Sequence, residues 1–496
     1  MDLTRRQLVI SAAGGLAACA ADDLGTTTEE TTATGPSVTF PSTSSTSTTS
    51  TTTDGTTTTT TTTTTDTDTG TTTSTSTTTP STPSSGPEPS LPWEPEEPVD
   101  GEVFAWAVQT GDAHPTQVEV SVRTTLPWVT LRLAEGVDDG WEEVLEQPDL
   151  VTVDNVLQLR LTDLKPDTTY SVCFTTPDVR RSVAARFRTA VPVGRSRLIR
   201  FGASSCFGGN EPWPMLQHAA DEQLDFFVLL GDTVYADGYA NNEIDDLWGS
   251  ALGQSGFKAL SSSTSLITTW DDHEVNNDWE WDDSGRADRV AVTLDAMLRA
   301  VPTRLGPNGL GLWRKLSWGD ALDVFVLDCR SERVDDKYIS EDQLNWLLDG
   351  LEASTATFKI ICNSVPITDM SDVYFGVAAD DRWDGYPDQR RRVLDGIRDR
   401  GITGTLWLAG DFHWGAMATI GHPGEDHDDQ FEIFCGPGGS FINPITLLLN
   451  DNDHYRKVIK QWNYTLFELD PDAGTARVVF VPNGGTPLTD ETIRLV

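Results

Sequence analysis

The 496-residue sequence predicts a small antiparallel β-sandwich followed by a larger α/β domain. Three observations predict it. Between about residues 100 and 192, short segments alternate apolar and polar residues and are separated by Gly, Pro, Asp or Asn. From residue 197 onward, apolar runs are continuous, and several end in clusters of Gly, Asp, Cys or His. The tract before both, 20–99, is mostly Thr, Ser, Pro and acidic residues, with ten consecutive threonines at 56–65. That tract cannot bury enough apolar area to offset its ordering entropy, so it reads as a disordered stalk.

Ahead of the stalk, residues 1–19 read MDLTRRQLVISAAGGLAAC. The apolar run Leu8 to Ala18 is too short to span a bilayer and reads as a cleaved signal. Arg5–Arg6 resembles the twin-arginine export signal, the alternative being an ordinary secretory signal with two arginines. Leu16-Ala17-Ala18-Cys19 looks like a lipobox, which predicts lipidation of Cys19 and a lipid-anchored, exported protein on the periplasmic or cell-surface face of the envelope.

The chain carries 35 Lys and Arg against 76 Asp and Glu, a formal charge of −41. That balance excludes nucleic-acid binding through a broad basic surface. An anionic ligand would need local positive charge, which metal ions can supply. The six cysteines show no CxxC pair and no framework spacing, which argues against a disulfide scaffold.

For the sandwich, the predicted strands are VFAWAVQT (103–110), QVEVSVRTT (117–125), WVTLRLAE (128–135), VLQLRLTDL (156–164), YSVCFTT (170–176) and AARFRTA (184–190). The stretch Leu164-Lys165-Pro166-Asp167-Thr168-Thr169-Tyr170 resembles the turn of fibronectin type III domains, which implies a tyrosine corner at Tyr170. Residues 100–192 are therefore expected to form a fibronectin type III-like spacer or wall.

In the larger domain, 197–496, four strand-like runs end in groups able to bind metal. RLIRFGASSCFGGN (197–210) ends at Cys206, and LDFFVLLGDTVYADG (224–238) ends at Asp232 and Tyr235. SLITTWDDHEVNND (265–278) packs Asp271, Asp272, His273, Glu274, Asn276 and Asn277 into seven positions. GTLWLAGDFHWGAM (404–417) ends at Asp411 and His413, whose spacing directs both to one side of an extended backbone. A carboxylate at a strand end can bridge two cations. Parallel strands collect such groups beyond their C-terminal ends.

The order and context of these motifs resemble the alkaline phosphatase D (PhoD-like) family of calcineurin-like metallophosphoesterases. LDCRSER (327–333), EDQLNWLLDGLEASTATFKIICNSVP (341–366) and WDGYPDQRRRVLDGI (383–397) extend the resemblance, which covers about 197–490. It implies a four-layer sandwich of two mixed β-sheets flanked by helices. It implies ferric iron on Cys206, Asp232, Tyr235 and His413, with Asp232 bridging to a second ion, calcium, completed by Asp272, Asn277 and Asp411. Thiolate and phenolate suit a highly charged iron, whereas carboxylate and amide oxygens suit calcium.

The implied activity is hydrolysis of phosphomonoesters or phosphodiesters by a metal-activated hydroxide, with His273 facing the substrate. Arg330 either binds a phosphate oxygen bidentately or closes a structural salt bridge. The implied partners are a small phosphate ester or a lipid or polymer phosphodiester, and the membrane through Cys19. Two alternatives stand beside this reading: phospholipase D-like hydrolysis of lipid head groups, and a catalytically silent surface stalk protein. The loop between Tyr235 and Trp270 is short for a PhoD-like enzyme, and Ala236 stands where an acidic residue is frequent, so substrate class is the open point.

Overall fold

A computed structural model describes residues 93–138, 140–209, 211–279, 287–307, 311–334, 336–374 and 379–496, together with the strand pair Ser37–Val38. The predicted signal, lipobox and remaining stalk to residue 92 lie outside the described residues. No helix among the described residues is long and apolar enough to cross a membrane.

The alternating segments form β1 (Gln109–His114), β2 (Gln117–Arg123), β3 (Trp128–Val137), β4 (Gly140–Val151), β5 (Val156–Leu161), β6 (Thr169–Thr175) and β7 (Ala185–Arg188). One sheet runs β4-β3-β6-β7, and β5-β2-β1 forms the facing layer. Val118, Val120, Leu131, Leu133, Leu159, Val172 and Phe187 fill the space between them. The Tyr170 hydroxyl accepts a hydrogen bond from the Lys165 N–H at 2.9 Å, the contact a tyrosine corner requires.

Three local expectations are corrected. Residues 103–108 form no strand; Phe104 and Val108 instead fold into the sandwich core as part of a turn-rich segment. The strand β4 was not among the expected strands: none of its residues is fully buried, so its pattern gave no alternation to read. Residues 93–99, expected in the stalk, pack on the sandwich: Trp93 donates to Ser171 Oγ, and the Pro95 and Glu97 carbonyls accept from Arg181 Nε.

The following part contains β8 (Ile199–Ser204), α1 (Pro214–Ala220), β9 (Phe226–Leu230), α2 (Ile244–Leu252), α3 (Ser255–Ser263), β10 (Ser265–Thr269), α4 (Ala287–Ala300), β11 (Arg314–Trp318), β12 (Leu322–Val326) and α5 (Glu341–Ala353). It continues with β13 (Phe358–Cys362), α6 (Ser371–Tyr374), α7 (Pro387–Asp399), β14 (Thr405–Ala409), β15 (Gly415–Thr419), β16 (Phe431–Phe434), β17 (Tyr455–Ile459), β18 (Asn463–Asp470), β19 (Thr475–Pro482) and β20 (Glu491–Arg494). The seven-stranded sheet has the order β11-β12-β13-β14-β16-β15-β17. The other sheet runs β10-β9-β8-β18-β19-β20, and β10 also pairs with β1. The sandwich and the α/β part therefore share one continuous ten-stranded sheet, whose far edge is Ser37–Val38. The buried pair Asp112–Arg314, 2.7 Å, closes the same junction from the side.

Apolar residues divide into layers as the continuous runs require. Phe201, Val228, Leu230, Val324, Ile360, Leu408 and Phe467 lie between the two sheets. Leu216, Trp248, Phe257 and Met297 from the helices α1–α4 cover one outer face, and Leu347, Leu351, Val393 and Ile397 from α5 and α7 cover the other. Strands β8, β9 and β10 are parallel neighbours, so their C-terminal ends emerge side by side. The end of β14 arrives from the opposite sheet.

Candidate metal centre

Beyond these four ends the chain turns abruptly. Cys206, Asp232, Asp411 and His413 all have left-handed backbone, with φ of 56°, 54°, 65° and 57°. This region is sparsely occupied by residues other than glycine, and side chains held there cluster at functional sites. Gly231 precedes Asp232 with φ of 101°, and a Cβ there would meet the Asp271 Cβ at 2.5 Å. A Cβ on Gly208 would meet the Tyr235 ring at 2.6 Å, so that loop can pass the phenol only as glycine.

The turns bring the predicted ligands together. Cys206, Asp232 and His413 offer atoms all within 4.8 Å of one another, and so do Asp232, Asp271, Asp272 and Asp411. Asp232 belongs to both sets. The Tyr235 hydroxyl lies 3.2 Å from Asp232 Oδ2 and 3.2 Å from His413 Nε2. Asn277 sits at the exposed rim, where its backbone N–H donates to Asp237.

Burial without enough positive charge sets the electrostatics. Burial, then neighbouring carboxylates, push Asp232 and Asp411 well above the usual carboxylate range. Burial and Asp232 likewise raise the Cys206 thiol and the Tyr235 phenol well above their ordinary values. Burial brings His413 down to about 4, which leaves a neutral imidazole suited to ligation. Asp411 Oδ2 is buried with no hydrogen-bond partner among the described residues. A cavity lined by acids that cannot all ionise, with one carboxylate oxygen orphaned, is what a cation pair would complete. The donor set fits metal ions.

Several residues to which sequence reasoning assigned no role hold this arrangement. Glu274 accepts from the N–H groups of Asp232, Thr233 and Asp271 at 3.1, 2.6 and 2.9 Å, tying two strand ends together. Those donors favour its carboxylate form, while burial and Asp232 oppose it and lift its pKa to about 8. Asp237 binds His273 Nδ1, and the His273 ring stacks on Tyr235 with centroids 4.0 Å apart. Arg289 of α4 donates to the Ala236 and Val275 carbonyls and so braces the two loops against each other.

Arg330 requires a correction. It is fully buried, with Nε 2.8 Å from Asp271 Oδ1 and Nη1 2.6 Å from Asp381 Oδ1. Its donors are committed behind the carboxylates, so of the two readings given above the structural ion pair is the observed one. Asp381, whose carboxyl is held low by Arg330 and Arg333 despite burial, was not singled out in the sequence.

His273 lines the mouth of an open cleft of about 740 Å³, together with Tyr235, Asn277, Tyr374, Phe441 and Asn443. Burial works against charging His273, but Asp232, Asp237 and Asp272 outweigh it and lift the ring to about 10. Phe441, 62 % exposed, leans edge-on against His413 at 4.4 Å.

With this geometry in place, comparison with known proteins is informative. Residues 246–470 match the family described as PhoD-like phosphatase. The match covers less than half of the chain and begins after Cys206, Asp232 and Tyr235. Alkaline phosphatase D of Bacillus subtilis (strain 168) is 26 % identical over 252 residues. That alignment spans 40 % of this chain and 42 % of the relative, so the chain matches less than half of the relative's length. Among solved structures, PhoD superposes with a TM-score of 0.65 at 20 % identity, over 81 % of this chain and 90 % of that one. Purple acid phosphatase PPD1 from yellow lupin (Lupinus luteus) seeds gives 0.59 at 13 % identity, over 79 % and 75 %. These likenesses establish the fold, a mixed α/β arrangement with several sheets shared with those two structures.

Proposed function

We propose that this protein is a metal-dependent phosphoester hydrolase acting on phosphodiesters and phosphomonoesters. The observation that carries the reading is that Asp232 belongs to two ligand sets at once. Cys206, Asp232, Tyr235 and His413 would hold Fe3+; Asp232, Asp272 and Asp411, with Asn277, would hold Ca2+. Bound there, the cations supply Lewis acidity and the positive charge that a phosphate requires.

The chain's own residues do the rest. Asp237 occupies His273 Nδ1, which leaves Nε2 to present a proton to the leaving oxygen. Tyr235 stacking fixes the plane of that ring. Arg330 and Glu274 hold the carboxylates in register from behind. The fibronectin type III-like sandwich serves as a wall sharing the catalytic sheet. The export signal, the lipidated Cys19 and the stalk would place the enzyme on the envelope, where small esters or lipid and polymer diesters are its substrates.

The test is a substrate screen on protein whose metals have been quantified, using p-nitrophenyl phosphate, bis-p-nitrophenyl phosphate and phosphatidylcholine. Hydrolysis of one of the first two, lost in Asp232→Asn, is expected; inert protein with iron and calcium in place would contradict the proposal. A second reading, cleavage of lipid head groups, draws on Phe441 at the cleft and on Leu447 and Leu448, 82 % and 77 % exposed a few residues later. Preference for phosphatidylcholine over the soluble diester would select it. A ferric centre should also colour the protein, and Tyr235→Phe should weaken that band.

A further inference from the structure

A second group of side chains able to offer ligand atoms to a metal ion lies outside the catalytic cluster and shares no residue with it. Asp372 of α6, His422 after β15 and His454 before β17 offer one atom each, all within 4.8 Å of one another. The two imidazole rings lie 4.2 Å apart, centroid to centroid. The Asp369 carboxylate stands 3.8 Å from His422 Nε2.

The three segments are already joined. The Thr419 N–H donates to the His454 carbonyl, and the Asp369 N–H donates to the Ile420 carbonyl. The His454 N–H donates to Asn452 Oδ1, and the Tyr455 hydroxyl donates to Asp372 Oδ1, leaving Oδ2 available. Such outer contacts fix ligand orientation in metal sites.

The hydrogen bonds of His454 point the same way. His454 Nδ1 lies 3.0 Å from Thr419 Oγ1, whose hydroxyl also reaches the Gly421 carbonyl at 2.8 Å. His454 Nε2 lies 2.8 Å from the Asp369 carbonyl, and the residue is only 4 % exposed. A cation beside Nε2 would be met by both His454 and that carbonyl.

We propose that Asp372, His422 and His454 form a second, zinc-binding site. Two imidazole nitrogens and one carboxylate suit Zn2+, whereas calcium and magnesium prefer all-oxygen surroundings. Asp372 is exposed, so the ion arrives directly from solvent. The consequence falls on the catalytic cleft. The helix α6 that carries Asp372 also carries Tyr374, which lines the cleft, packs edge-on against Phe412 and takes a hydrogen bond from Asn443 at 3.0 Å. Zinc would pin this wall to β15 and β17.

The test is calorimetric titration of Zn2+ into full-length protein loaded with iron and calcium, with released iron and calcium measured in the same samples. His422→Ala is the informative variant, because His422 is only half-buried and its loss leaves the core intact. Asp372→Asn serves as the second variant. Wild type should take up one Zn2+ without releasing iron or calcium, and each variant should weaken binding at least about 10-fold. Zinc should raise the Tm of wild type but not of His422→Ala. No uptake by wild type, uptake matched by release of iron or calcium, or equal binding by wild type and His422→Ala would each overturn the proposal.

Discussion

The β-sandwich and the strand-end site solve opposite problems with the same residue types. In the sandwich, left-handed backbone falls, Val179 apart, on Asp112, Asp138, Asp149, Asp154, Asn155, Asp163 and Asp167, where short polar side chains tolerate it. Its acids meet partners: Arg132 bridges Glu97 and Glu143, and Lys165 meets Glu135. At the site, the left-handed positions include Cys206 and His413, and buried acids face one another across a shared cavity. Charges find partners in the first region and are crowded against like charges in the second. Such conflict is tolerated where function needs it and costs stability there.

Substitutions can break or sharpen that contrast. Asp232→Asn should lower kcat by at least about 10³-fold, because it removes the ligand common to both sets. The same variant should leave the Tm of metal-free protein unchanged or higher, since it relieves like-charge crowding. Arg330→Met should cost about 3–5 kcal/mol in denaturant titration, because Asp271 would lose its buried ion pair and Asp381 would keep only Arg333.

In the sandwich, His114 is brought down to about 4 by burial, then by Arg304, with Arg160 and Arg314 adding to it. Its folded pKa lies below the unfolded value of about 6.5, so its contribution is complete above that pH and is lost as pH falls through about 4. Melting curves between those limits should show wild type losing about 2 kcal/mol more than His114→Gln. Asp237→Asn should reduce kcat by about 10–100-fold with little change in stability, because Asp237 acts by orienting His273. The smallest effect is expected for Tyr170→Phe, about 1 kcal/mol, from loss of the bond to the Lys165 N–H.

Legibility followed the same divide. Strands such as Val156–Leu161 and Thr169–Thr175 were readable because alternation encodes their faces locally. Gly231-Asp232 and Asp411-Phe412-His413 were readable as strand ends because apolar runs stop there. That these ends converge depends on sheet order, which the resemblance supplied and periodicity did not. Asp381 pairs with Arg330 across 51 positions, and no local pattern announces it. Glu274 and Asp237 stood inside motifs already noted, but their partners are backbone N–H groups and a ring nitrogen of other segments. The fusion of β1 to β10 was hidden because each strand alone fits its own sheet.

Metal counting on Asp232→Asn tests the shared-ligand arrangement most directly. Wild type, Cys206→Ser, Asp272→Asn and Asp232→Asn would be purified identically and analysed for iron and calcium. Asp232→Asn should lose both ions together, whereas Cys206→Ser should lose chiefly iron and Asp272→Asn chiefly calcium. Full retention of either ion in Asp232→Asn would contradict the bridging role assigned to that carboxylate.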